Sequence, residues 1–133
     1  MGGTVPTSRE SAFEIARVLA EHKGGEVVVL DLALQSGWTD FFVIATATSS
    51  THLRGLDRFA EEWAALNKVE RRNTPRIADD EEWVLLDLGD VVVHLMTERA
   101  RAFYELEKLW FQSEAVRVQA PEAPGSPPGG AAR

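Results

Sequence analysis

Apolar residues recur every three or four positions in some stretches of this chain and run unbroken in others, patterns that predict amphipathic helices and buried strands respectively. Thr7-Ser8-Arg9-Glu10 has capping-box spacing, the Thr hydroxyl accepting from a first-turn amide while Glu10 reaches back to the cap. A helix should start there. Its apolar stripe is Phe13, Ala16 and Leu19, flanked by Ile15, and it stops near His22, where Gly24-Gly25 supply left-handed geometry. Val27-Val28-Val29-Leu30 and Phe41-Phe42-Val43-Ile44-Ala45 are apolar on both faces, as doubly covered central strands must be. Thr48-Ser49-Ser50 offers N-cap hydroxyls before a second helix with Leu53, Leu56, Ala60 and Trp63 on one face and Asn67 at its end. Residues 69–72 read as a short exposed edge strand, which Pro75 ends, and residues 79–82 as a solvated acidic turn. Residues 83–88, a Gly89-Asp90 turn suited to type II′, and residues 91–96 form a strong hairpin signal. Thr97 caps a last helix of about fourteen residues with Ala100, Phe103, Leu106 and Leu109 or Trp110 on its buried side.

The order of elements predicts an α/β fold, a mixed β-sheet of about five strands covered by helices on both faces. At 133 residues and 44% hydrophobic, the chain suits one domain with its own core. Residues 1–7 read as an N-terminal extension, residues 8–112 as the domain and residues 113–133 as a disordered tail. Within that tail, seven of the ten residues 121–130 are Pro or Gly, a composition that cannot recover its ordering entropy by burial.

Charge and composition narrow the function. Fourteen Lys and Arg against 21 Asp and Glu give a net charge of -7, which disfavours affinity built on neutralising phosphates. The absence of Cys excludes disulfides, Cys-ligated metals and thiol nucleophiles. No basic segment followed by an apolar run opens the chain, and no apolar stretch approaches the roughly 20 residues of a membrane-spanning helix, so a cytoplasmic protein with no membrane partner is expected.

Candidate chemistry is sparse. Asp87 and Asp90 suggest a metal site for nucleotidyl transfer, yet carboxylates that share a cation from one strand usually lie two apart, and these lie three apart across a turn. No phosphate-cradling Gly run precedes a helix. Turn formation and surface recognition are therefore the expected roles of the pair, with no metal and no cofactor. His22, His52 and His94 lack ligand spacing, and only His94 interrupts an apolar strand, where a neutral imidazole needs hydrogen-bond partners. Ser49, Ser50 and Thr51 lack a nucleophile elbow and read as caps. The aromatics say more: Trp83 opens the hairpin, and Phe103, Tyr104, Trp110 and Phe111 crowd the last helix beyond what its inner face needs. Part of this surface should be exposed. With Asp87, Asp90, Glu98, Glu105 and Glu107 around it, it would suit a basic protein partner.

Asp31, Asp40-Phe41-Phe42-Val43-Ile44-Ala45-Thr46, the Thr48-Ser49 cap, the run from Trp83 through Leu88-Gly89-Asp90 to His94, and Phe103-Tyr104-x-Leu106-Glu107-x-Leu109-Trp110 together resemble the ribosomal silencing factor RsfS, or Iojap-like, family. The resemblance implies a nucleotidyltransferase-like topology without catalytic activity and a homodimer when free. It further implies binding to the large ribosomal subunit through its ribosomal protein fourteen, with a steric block on joining the small subunit that represses translation in starved or stationary cells. No sequence-specific nucleic-acid contact is implied. Trp83, Asp87, Asp90, His94, Tyr104, Leu109 and Trp110 are the recognition residues carried over from it, or their direct supports. A large-subunit assembly adaptor and, behind it, a nucleotidyltransferase-like enzyme are the alternatives.

Overall fold

The computed structural model describes residues 6–33, 37, 39–74, 81–104 and 114–120. Their elements run α1 (Ser8–Glu21), β1 (Gly25–Asp31), β2 (Phe41–Ala47), α2 (Ser50–Leu66), β3 (Trp83–Asp87), β4 (Val91–Thr97), α3 (Glu98–Tyr104) and β5 (Glu114–Val118). One five-stranded mixed sheet has the order β3-β4-β2-β1-β5. β2 and β4 are parallel, and the other neighbours are antiparallel. The predicted mixed α/β sheet is what forms, and the two runs apolar on both faces are interior strands.

Side chains alternate across the sheet and divide the core into two layers. Val27, Val29, Phe41, Val43, Ala45, Val91, Val93 and Leu95 meet the apolar stripes of α1 and α2. Val28, Leu30, Phe42, Ile44, Val92 and Met96 form the opposite layer with Ala100 of α3. Helix starts follow the cap chemistry: Thr7 and Glu10 close a reciprocal capping box, and the Ser49 hydroxyl accepts from the His52 amide at 3.0 Å. The left-handed residue after α1 is Lys23 (φ 75°), not the expected Gly24 or Gly25; Gly24 is needed instead for space, since a Cβ there would lie 2.8 Å from the Leu19 carbonyl oxygen.

Four further expectations need correction. The stripe of α1 is Ala12, Ile15, Ala16 and Leu19; Phe13 sits half-buried at its edge, with the Arg9 guanidinium 5.0 Å from its ring centroid. Residues 69–72 form no strand. A single main-chain bond, from the Arg72 amide to the Asp87 carbonyl, links them to β3, and the Asn73 side chain stands in for a ladder, accepting from the Asp87 amide and donating to the Leu85 carbonyl. The fifth strand lies at 114–118, beside β1, so ordered structure reaches into the segment assigned to the tail; pairing with Val27–Asp31 satisfies its backbone despite the polar flanks. Phe103, placed on the buried side of the last helix, is 78% exposed, because α3 turns Ala100 and Arg101 to the sheet. Residues 105–113 of the expected fourteen-residue helix lie outside the described residues.

Candidate functional site

On the edge strand β3, Val84 and Leu86 point into the α1/α2 layer, so Trp83, Leu85 and Asp87 share the other face, the one α3 partly covers. Register adds His94 and Val92 of β4 to that face, since Leu85 pairs with His94 and Asp87 with Val92. α3 then brings Phe103 and Tyr104 over it. The Trp83 and Tyr104 rings lie 4.7 Å apart, and those of Tyr104 and Phe103 4.9 Å apart, nearly perpendicular. Between strand and helix runs an open groove of about 810 Å³ whose walls include Trp83, Leu85, Phe103 and Tyr104 and whose rim carries Glu81, Glu82 and Arg99. Leu85 is 38% and Tyr104 50% exposed. An apolar patch with aromatic anchors and a charged rim has the anatomy of a protein-binding surface.

His94 supports this face from below. It is buried, its Nδ1 accepts from the Trp83 indole N–H at 3.1 Å, and its ring centroid lies 4.4 Å from that of Phe42 in an edge-on arrangement. Acceptance at Nδ1 places the ring proton on Nε2, which finds no hydrogen-bond partner among the described residues. Burial lowers its pKa to about 4, so the imidazole is neutral at physiological pH. A neutral ring that orients a tryptophan is a support rather than a base. At the far end of the hairpin, Asp87 accepts from the Gly89 amide at 2.9 Å, and Gly89 (φ 89°) alone in the turn takes positive φ, as type II′ requires. Asp90 is exposed at the tip.

The free edge of β3 is guarded by charge. The Arg71 guanidinium donates to the Leu85 carbonyl and pairs with the buried Asp57 carboxylate of α2. Burial pushes the Asp57 carboxyl up, opposed by the Arg71 hydrogen bond and charge. His22 and His52 are structural: His52 donates from Nε2 to the His22 carbonyl and accepts the Thr48 amide at Nδ1, locking the start of α2 to the end of α1, while His22 stacks on Phe59 at 3.5 Å.

Among the described residues, no group of three or more His, Asp or Glu side chains is placed to hold a metal ion, and no helix is long and apolar enough to cross a membrane. Of the seven recognition candidates, Trp83, Asp87, His94 and Tyr104 share one face and Asp90 caps its hairpin; Leu109 and Trp110 lie outside the described residues. Leu85 and Arg101 belong to the arrangement and were missed. Strict alternation around Val84 and Leu86 was the available signal for Leu85. None existed for Arg101, which reads as an ordinary charge on a helix.

A family profile described as "Ribosomal silencing factor during starvation" (RsfS) matches residues 5–131. The chain belongs to the RsfS family. It is 39% identical to the ribosomal silencing factor RsfS of Treponema pallidum over 75% of this chain and 89% of that one. Identity to the RsfS of Bacillus subtilis is 33% over 77% and 87%. The mouse mitochondrial assembly of ribosomal large subunit protein 1 is 27% identical over 83% of this chain, which spans about half of that longer protein (51%). A Bacillus halodurans crystal structure superposes with a TM-score of 0.65 at 30% identity, covering 83% of this chain and 96% of that one. Another, from Chromobacterium violaceum, gives 0.69 at 24% identity over 92% and 94%, a likeness of fold. A role in translation at the ribosome thus comes with membership of the RsfS family.

Proposed function

We propose that this protein binds the large ribosomal subunit with the β3–α3 face, docking on the basic ribosomal protein fourteen, and thereby blocks small-subunit joining without catalysing any reaction. The observation that carries this reading is the groove between β3 and α3, where Leu85, Phe103 and Tyr104 stay exposed beside Trp83. Monomeric proteins seldom leave such aromatic surface uncovered without a partner. Its charge selects the partner's sign: although Glu82 on the rim is paired with Arg99 at 3.1 Å, Glu81 beside it, Glu98 at the start of α3, Asp90 on the turn and a net -7 attract a basic protein and repel misplaced encounters with ribosomal RNA. Silencing then follows from exclusion, since two ligands with overlapping positions compete by mass action. Free copies of this chain are proposed to cover the same face by pairing, and the cytoplasm is the proposed compartment.

The name of the mouse relative favours a second reading, an adaptor in large-subunit assembly. Mixing purified mature large and small subunits with the protein separates the two. On the silencing reading, light scattering shows joining inhibited in proportion to the protein added, and the protein comigrates with free large subunits. Tyr104→Ala and Asp90→Lys each weaken comigration about tenfold or more. Joining unaffected by bound protein supports the adaptor, and wild-type comigration of both variants rejects this face.

A further inference from the structure

The proposed recognition aromatics Phe103 and Tyr104 stand on α3, and their place over the sheet depends on what anchors that helix. Among its described residues the buried ones are Ala100, which packs in the layer beneath it, and Arg101. Arg101, 8% exposed, directs Nη1 at three acceptors: the Glu26 carbonyl at 2.7 Å, the Thr46 hydroxyl at 2.9 Å and the Gly25 carbonyl at 3.4 Å. A buried guanidinium is tolerated only when its donors are met. Two of the three acceptors at Nη1 come from a local distortion of β1. The β1–β2 register shifts between Gly25 and Val28, and Glu26 takes φ 44°, a left-handed conformation that costs energy in any residue with a Cβ. The bulge presents two carbonyls to a cation arriving from the other end of the fold, 75 residues later in sequence. Strain kept at a position whose product is an anchor for α3 points to the pose of α3 as the thing being held.

We infer that Arg101 is a positioning residue for the recognition face: its bonds to the Gly25–Glu26 bulge and to Thr46 set the tilt of α3 and hence the Trp83–Tyr104 stack. It touches no partner itself. The inference rests on the proposed function only for its consequence in binding, and the pose can be read without a ribosome. Tyr104 is the sole tyrosine of the chain, so protein grown with 3-fluorotyrosine gives one ¹⁹F resonance that reports its ring environment.

In the full-length protein, Arg101→Met should move that resonance toward the value of the free amino acid and weaken comigration with purified large subunits about tenfold or more. Arg101→Lys, which keeps a cationic donor for the two carbonyls, should restore most of both. Glu26→Gly, which keeps the bulge and removes its strain, should leave both at wild type. Leu56→Ala serves as a control for general destabilisation, because Leu56 lies in the α1/α2 layer on the other side of the sheet. An unmoved resonance in Arg101→Met, or one moved equally far by Leu56→Ala, overturns the inference. A resonance that moves while subunit binding stays at wild type upholds Arg101 as the residue that holds α3 and instead rejects α3 as the recognition element.

Discussion

His94 illustrates how one polar atom in an apolar strand couples stability to pH. Its folded pKa, lowered to about 4 by burial, lies below the ordinary 6.5, so between those values the unfolded chain takes up a proton that the folded chain refuses. Stability is therefore full above pH 6.5 and declines as pH falls toward 4, by about 3 kcal/mol over the whole window. Urea midpoints from about pH 7 to about pH 4.5 should fall more steeply for the wild type than for His94→Phe. Equal slopes would remove His94 as the titrating group. Protonation would also cost Trp83 its acceptor at Nδ1, so indole fluorescence should change over the same window.

Among the elements, β3 and β5 lie at the edges of the sheet, where an open strand invites pairing with another chain, and the edge of β3 is visibly protected. Arg71 and Asn73 occupy that edge with side chains instead of a strand, and Arg71 is held there by Asp57. Both partners of this ion pair are about 93% buried, so removing one strands a charge. Arg71→Met should destabilise by about 3–5 kcal/mol, whereas Asp57→Asn with Arg71→Met should recover part of that loss, as a double-mutant cycle in urea would show. Asn73→Ala should act differently, leaving stability within about 1–2 kcal/mol but raising the aggregated fraction in light scattering as the Leu85 carbonyl and Asp87 amide are freed.

For the whole molecule, charge governs encounter more than fold. With a net charge of -7, association with isolated ribosomal protein fourteen, the proposed partner, should slow several-fold from about 50 to 300 mM salt, while dissociation, which the proposal assigns to the aromatic groove, changes little. Stopped-flow fluorescence resolves the two rates. A dissociation rate carrying most of the salt dependence would place the acidic groups inside the contact rather than around it.

Much of the architecture was legible from residue order, because caps, strand alternation and the Gly89-Asp90 turn are local: their partners lie within a few positions. The two doubly apolar runs announced a sheet covered on both sides, and the Trp83-to-His94 stretch together with the Phe103-to-Trp110 ending carried the resemblance to the family. Where the reading failed, the partner was remote. Residues 69–72 read as an edge strand, but Asn73 and Arg71 meet β3 through side chains, and β5 gains its pairing only because β1 offers a free edge. Likewise, nothing near Arg101 signals burial; its acceptors lie on β1 and β2, and a guanidinium is drawn inward only once a bulge has turned two carbonyls toward it. Periodicity can say which residues share a face, but which faces meet, and which charge is enclosed between them, depends on contacts that exist only after the chain has closed on itself.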